Sequence, residues 1–354
     1  IINSFRVVQE AGLSRELDFR AMVIASLPGS IASGIIAIIL AVYGAGVWSL
    51  VAQMILSALF TTSILWFSYG WRPKLQFSGN SFNSLFGFGS KLFLSGLLEI
   101  IFQNIYIIVI AKIFSAREAG FYFFAQKIRE LIIIQLTFTI HKVTFPALAS
   151  IQDNKDKLKN GFSQLTQILV FIIFPLVIFS AALAKPIFEV FLSEEWLSAV
   201  PYVQLLFIAG IMVPLITVNQ NILQVKGRTD LFLLLAILSK LLISIVLILS
   251  INYGIYAILL GQIIVSLINY IPNSHFSGKL IGYSRSKQLH DFLPILFISA
   301  IIGAGIFTCV DCFKLDSLLK LLILGPASIL LYFAAIYVFN KKYFELALAI
   351  LFKK

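Results

Sequence analysis

The chain has 354 residues, of which 60% are hydrophobic, 14% aromatic and only 12% charged, about half the charged share of a typical soluble domain. With a mean hydropathy of +0.98, this excludes an ordinary soluble enzyme, a disordered chain and a DNA-binding module. The formal charge of +11 then reads first as membrane topology rather than nucleic-acid binding.

The chain begins at Ile1, and residues 1–13 (IINSFRVVQEAGL) read as the tail of a helix whose start is absent. We expect an N-terminally incomplete piece of something longer. No basic region followed by a cleavage site marks a signal peptide. Apolar runs then recur to the end. They predict spans near 21–42, 47–67, 85–110, 119–148, 162–184, 200–224, 231–251, 254–273, 292–310 and 318–339. Each is long enough to cross the hydrocarbon core as a helix, for which about 20 residues suffice. The fold class expected is an all-α integral membrane protein.

The connections alternate in charge. Before the first span stand Arg6, Arg15 and Arg20. The third connection has Arg72 and Lys74, the fifth Lys155, Lys157 and Lys159, the seventh Lys226 and Arg228, and the ninth Lys279, Arg285 and Lys287. The tail adds Lys341, Lys342, Lys353 and Lys354. The even connections are uncharged or mixed; the sixth sets Lys185 against Glu189, Glu194 and Glu195. By the positive-inside rule the odd set is cytoplasmic. Trp48, Trp66, Trp71 and Trp196 fall at span ends, where an aromatic belt is expected. Pro28, Pro175, Pro214 and Pro326 lie inside spans and should kink them.

Charged side chains in hydrocarbon are costly and need a reason. In the third span Lys91, Ser95, Glu99 and Gln103 recur every fourth residue, and Tyr106 shares their face. At ~100° per residue the set spans a ~120° arc. In the fourth span Gln126, Glu130, Thr137 and His141 fall within a ~60° arc of a regular helix, with Lys127 and Arg129 beside it. Two wet faces on neighbouring helices suggest a hydrated cavity. A plainer reading is that the charges pair off, Lys127 with Glu130 or Glu99 with Arg129, as a lock between helices. Lys91 and His141 also lie close enough to a cytoplasmic end to snorkel. Asn219, Gln220 and Asn221 read as helix–helix hydrogen bonding. Lys240, about ten residues into the seventh span, fits either cavity lining or a buried pair.

Catalytic and metal motifs are missing. His141, His275 and His290 have no metal spacing, and no Walker loop, GxSxG elbow or HExxH occurs. Cys309 and Cys312 form CVDC at the outer end of the ninth span. Without a second pair or a thioredoxin-like context, an incidental pair is the better reading than a redox site. The outward loops are short, which leaves little room for an acceptor site. A transporter is expected rather than an enzyme, with no cofactor.

The segment Phe86 to Ile128, FGFGSKLFLSGLLEIIFQNIYIIVIAKIFSAREAGFYFFAQKI, resembles the seventh and eighth helices of Wzx-type polysaccharide flippases. These belong to the multidrug/oligosaccharidyl-lipid/polysaccharide (MOP) exporter superfamily. RELDFR (15–20), WRPKLQFS (71–78), VTFPALASIQDNKDKLKNGF (143–162), LSEEWLSAVPYVQLLFIAG (192–210) and LQVKGRTDLF (223–232) resemble the same family. The branch is similar to the colanic acid exporter and related lipopolysaccharide biosynthesis proteins.

The resemblance implies a MATE/MOP-like bundle of fourteen helices, two six-helix lobes and two more, around a central cavity. The ten spans would be the last ten of these, leaving the chain about a hundred residues short. Residues 1–83 would be the remnant of the first lobe, 84–275 the second lobe, and 276–354 the two additional helices and basic tail. The implied function is translocation of undecaprenyl-pyrophosphate-linked oligosaccharide across the bacterial cytoplasmic membrane by alternating access. Membrane lipids, a polysaccharide polymerase and other assembly proteins are the implied partners. On that reading Lys91, Gln103, Tyr106, Gln126, Lys127, Arg129 and Lys240 line the cavity for the anionic headgroup and glycan. Glu99 and Glu130 are the acidic candidates for ion coupling. The competing readings are a cation-coupled exporter of drugs or metabolites, which would want an acid-dominated cavity, and an inactive membrane fragment.

Overall fold

A computed structural model describes residues 2–15, 19–72, 104–313 and 315–339, with 78, 79, 82, 86, 97 and 100–102 between them. These residues are helical almost throughout, and the chain divides into two compact units, Ile1–Lys91 and Leu92–Lys354. Eight helical stretches among the described residues are long and apolar enough to cross a membrane. The chain is a multi-pass membrane protein.

The first unit contains α1 (Val7–Arg15), α2 (Phe19–Val42) and α3 (Trp48–Ser68). Five residues join α2 to α3, among them Gly44 and Gly46 at positive φ, so the two long helices run antiparallel. Leu13, Ala25 and Leu65 form their small core. Trp66 donates its indole N–H to the Phe5 carbonyl at 2.9 Å, which ties the leading segment to the end of α3. Ile35, Ile38, Ile39 and Met54 are exposed, as suits a lipid-facing surface.

The second unit holds α4 (Asn104–Ile113) and α5 (Ala116–Arg129), then a π turn (Glu130–Ile134) and α6 (Gln135–Ser150). After them come α7 (Lys155–Ala182), α8 (Ala184–Phe191), α9 (Val200–Gly210), α10 (Val213–Val225) and α11 (Thr229–Ser250). The last three are α12 (Ile255–Ile281), α13 (Arg285–Cys312) and α14 (Ser317–Phe339). Helix starts follow capping chemistry. The side chains of Ser115, Asn154 and Ser284 accept the backbone N–H of Glu118, Lys157 and Lys287 respectively, satisfying donors that have no partner within the helix. Helix α12 ends on Gly282 in the left-handed conformation at φ 70°, which a side chain would disfavour.

The core runs along α7, α9, α10 and α12, where Phe162, Phe174, Phe207 and Leu215 are fully buried. Helix α13 lies along α7, and α14 packs on α13 and α8. Helix α11 buries only Leu235 and Leu247. Its Leu241, Ile245, Ile248 and Leu249 are exposed, so it presents a broad face to lipid.

Two predicted spans are interrupted. The run 116–150 is helical throughout but carries the π turn in its middle. The run 200–225 breaks at Ile211 and Met212 because Pro214 lacks the N–H that the Gly210 carbonyl would accept. Pro28, Pro175 and Pro326 sit inside α2, α7 and α14 as expected, and Pro272 and Pro294 do the same in α12 and α13. Most of the predicted third span, 85–110, lies outside the described residues.

Connections of like charge meet at the same end of the second unit. Lys226 Nζ donates to the Gln152 carbonyl at 2.6 Å. Lys155 Nζ approaches within 3.9 Å of the place a Cβ on Gly282 would take. The basic fifth, seventh and ninth connections are therefore neighbours. At the other end Lys185 Nζ pairs with Asp311 Oδ1 at 2.9 Å, and Ser317 donates to Glu189. The mixed sixth and tenth connections meet there. Beside Asp311 the Lys185 ammonium is held above the ordinary lysine range, first by the hydrogen bond and then by the charge.

Trp196 stands in the short segment Glu194–Ala199 before α9, against α5. Its ring packs 4.3 Å from Phe124 and 6.1 Å from Phe121. It forms an aromatic cluster linking α5 to the segment before α9.

Candidate functional site

The polar residues of the fourth span gather where α5 gives way to the π turn. Gln126 Nε2 donates to Glu130 Oε1 at 3.2 Å, and Lys127 Nζ donates to Glu130 Oε2 at 2.7 Å. The Lys127 side chain is 53% exposed and Glu130 32%, so this pair is reachable rather than sealed. The ammonium of Lys127 also sits 5.5 Å from the ring centre of Phe123. Gln126 Oε1 is buried without a partner among the described residues.

Arg129 occupies the last position of α5, with its aliphatic stem against Gly210 of α9. Its charge acts on the hydroxyls of Tyr106 and Tyr122. Those two rings lie 6.5 Å apart, and both are buried. Gln262 of α12 donates to Tyr122 Oη at 3.3 Å. Sequence reasoning does not single out Tyr122 or Gln262. The signal available is weak: Tyr122 lies one turn before Gln126 on the same helix, but Gln262 is 140 residues away.

The structure brings Tyr106, Gln126, Lys127, Arg129 and Glu130 together. Lys240, on α11, has its ammonium 5.6 Å from the ring centre of Phe102, four residues before Tyr106 in the sequence. Lys91, Glu99 and Gln103 lie outside the described residues, as does the side chain of His141. The plain reading, an ion pair between Lys127 and Glu130, is present in the structure.

The π turn corrects the wet arc drawn through Gln126, Glu130, Thr137 and His141. Gln135 N–H bonds to the Glu130 carbonyl five residues back. One extra residue in a turn rotates everything after it by about 100° relative to a regular helix. Thr137 is accordingly buried and donates to the Ile133 carbonyl at 2.6 Å. It closes a backbone acceptor rather than lining a wet face. Thr137 therefore leaves the polar face that Gln126 and Glu130 share.

Other polar groups are structural. Asn219 accepts from Ser277, and its Nδ2 donates to the Leu215 carbonyl at 2.8 Å. Asn221 Nδ2 donates to Thr144 at 3.2 Å. These bonds join α10 to α12 and α6, as the asparagine-rich stretch predicts. Cys309 and Cys312 are free thiols one turn apart on α13. In the first unit Arg6 pairs with Glu10 at 3.1 Å, within reach of a cavity of about 250 Å³.

A family model described as polysaccharide biosynthesis protein matches residues 1–201, more than half of the chain. The chain belongs to this family. It is 25% identical over 266 residues to the teichuronic acid biosynthesis protein TuaB of Bacillus subtilis, covering 74% of this chain and 55% of TuaB. It is 27% identical over 277 residues to the lipopolysaccharide biosynthesis protein WzxC of Escherichia coli, covering 74% of this chain and 56% of WzxC. The chain therefore spans just over half the length of these relatives. Among solved structures it is similar to the lipid II flippase MurJ in an inward closed conformation, with a TM-score of 0.71 at 18% identity. That match covers 88% of this chain and 66% of MurJ. Over its described residues this polysaccharide biosynthesis family member is an all-α membrane bundle with a fold like that of MurJ.

Proposed function

We propose that this chain is the larger part of a flippase. It moves undecaprenyl-pyrophosphate-linked oligosaccharide across the bacterial cytoplasmic membrane by alternating access, for surface polysaccharide assembly. The observation that supports this most directly is the cluster at the α5–π junction. Two cations, one acid, an amide and a tyrosine pair converge inside a helical membrane unit of a polysaccharide biosynthesis family member. Arg129 and Lys127 suit an anionic headgroup. Gln126 suits glycan hydroxyls, Tyr106 is buried behind the cluster and supports it rather than meeting the glycan, and Glu130 is the acid available for ion coupling. Residues 1–83 then belong to the first lobe, 84–275 to the second, and 276–354 to the additional helices and tail. A polysaccharide polymerase is the natural neighbour in the pathway.

The test is made in a full-length version. Arg129→Ala and Lys127→Ala should each abolish surface polysaccharide while membrane protein levels stay normal. Normal export by both variants would overturn the cationic-site reading.

A further inference from the structure

Two helix irregularities of the second unit lie against each other. On one side is the π turn, Glu130–Ile134. On the other is the break between α9 and α10, which follows Gly210 because Pro214 removes the hydrogen bond that would continue the helix. Gly210 is buried at the contact. A Cβ built there would overlap Ile133 Cδ1 and would meet Arg129 Cδ at 3.4 Å. Ile133 is itself fully buried, at 1% exposure, so its end methyl has no solvent to retreat into. The surrounding backbone is held in place: Thr137 closes the Ile133 carbonyl, and Glu130 N–H is shared between the carbonyls of Gln126 and Lys127.

We infer that Gly210 is a positioning residue for Arg129. The missing side chain makes a notch that seats Ile133 Cδ1 and the Arg129 stem, so that the π turn and the α9–α10 break fix where the guanidinium points. The role of that guanidinium in substrate binding rests on the flippase reading; its placement by Gly210 does not. π turns are uncommon and occur mostly as single turns inside α-helices. This one sits where the end methyl of Ile133 fills a glycine-sized space.

The contact can be exchanged atom for atom. Gly210→Ala adds one methyl at the notch, and Ile133→Val deletes Cδ1, the atom that the new methyl would overlap. The readout is the rate at which phenylglyoxal modifies Arg129 in the full-length protein in membranes, followed by mass spectrometry. It requires no substrate. Gly210→Ala should change this rate by about fivefold or more, the lower end of what an overpacked core contact costs. Gly210→Ala combined with Ile133→Val should return it to the wild-type rate. An unchanged rate in Gly210→Ala overturns the inference, and so does a double variant that stays as altered as the single one. If Gly210→Ala is not recovered from membranes, the double variant decides. Recovery with wild-type Arg129 reactivity supports the inference, and failure to recover it refutes it. Export assays run alongside separate the two claims. A shifted Arg129 rate with normal export in Arg129→Ala would leave the positioning role standing and remove the flippase assignment of Arg129.

Discussion

Lys127 and Glu130 face each other across one helical turn, Nζ to Oε2 at 2.7 Å, directly where the α-helix gives way to the π turn. The pair leaves Arg129, two positions from Lys127, on a different side of the helix, beside the two tyrosines. The two cations of this segment therefore have different surroundings. One is paired and half open to solvent; the other has its stem packed on Gly210.

A charge exchange separates a lock from a binding site. Lys127→Glu with Glu130→Lys keeps an oppositely charged pair at the same spacing, so thermal stability should change little. Export by the full-length double variant should nevertheless fall at least about tenfold, the scale of one charged hydrogen bond to an anionic substrate. Wild-type export in the exchanged protein would mean that the pair is only structural.

Asp291 anchors α13 to α7. Its Oδ2 accepts from Tyr283 Oη, from Ser163 Oγ at 3.3 Å and from Gln167 Nε2 at 3.1 Å. Asp291→Ala leaves three donors short of this acceptor and should destabilise the protein by about 2 kcal/mol. Asp291→Asn keeps an acceptor oxygen and should cost less. Thermal unfolding of the full-length protein in detergent checks the order; equal losses would show that the hydrogen bonds are not what holds the helix.

The shared ends of the connections give a topology prediction. Reporters fused after Lys159, at Gly227 and at Ser284 should all read cytoplasmic, since the fifth, seventh and ninth connections meet. Reporters after Ser193 and Asp316 should read external, on the side where Lys185 pairs with Asp311. An external signal after Lys159 would reverse the orientation. A mixed pattern among the first three would contradict the packing itself.

The sequence by itself determined the class, most of the spans and which connections share an end. These depend on quantities that act locally and additively: apolar length against bilayer thickness, and Lys and Arg counts at the span ends. It also identified which side chains in 119–148 are out of place in hydrocarbon, and Lys127, Arg129 and Glu130 do cluster there. Pro214 marked a kink, and the helix does break beside it. Only the tertiary structure decided how the cluster is built. Nothing in ELIII favours a π turn over an α turn by propensity; the packing of Ile133 into Gly210, a residue of a different helix far along the chain, accompanies that register. That one added residue takes Thr137 off the wet face. Tyr122 gains Gln262 across 140 residues, and Asp291 gains Ser163 across 128. Trp196, at a span end, packs its ring 4.3 Å from that of Phe124 in a different helix. Periodicity assumes a uniform helix and a featureless neighbour, and both assumptions fail where two broken helices meet.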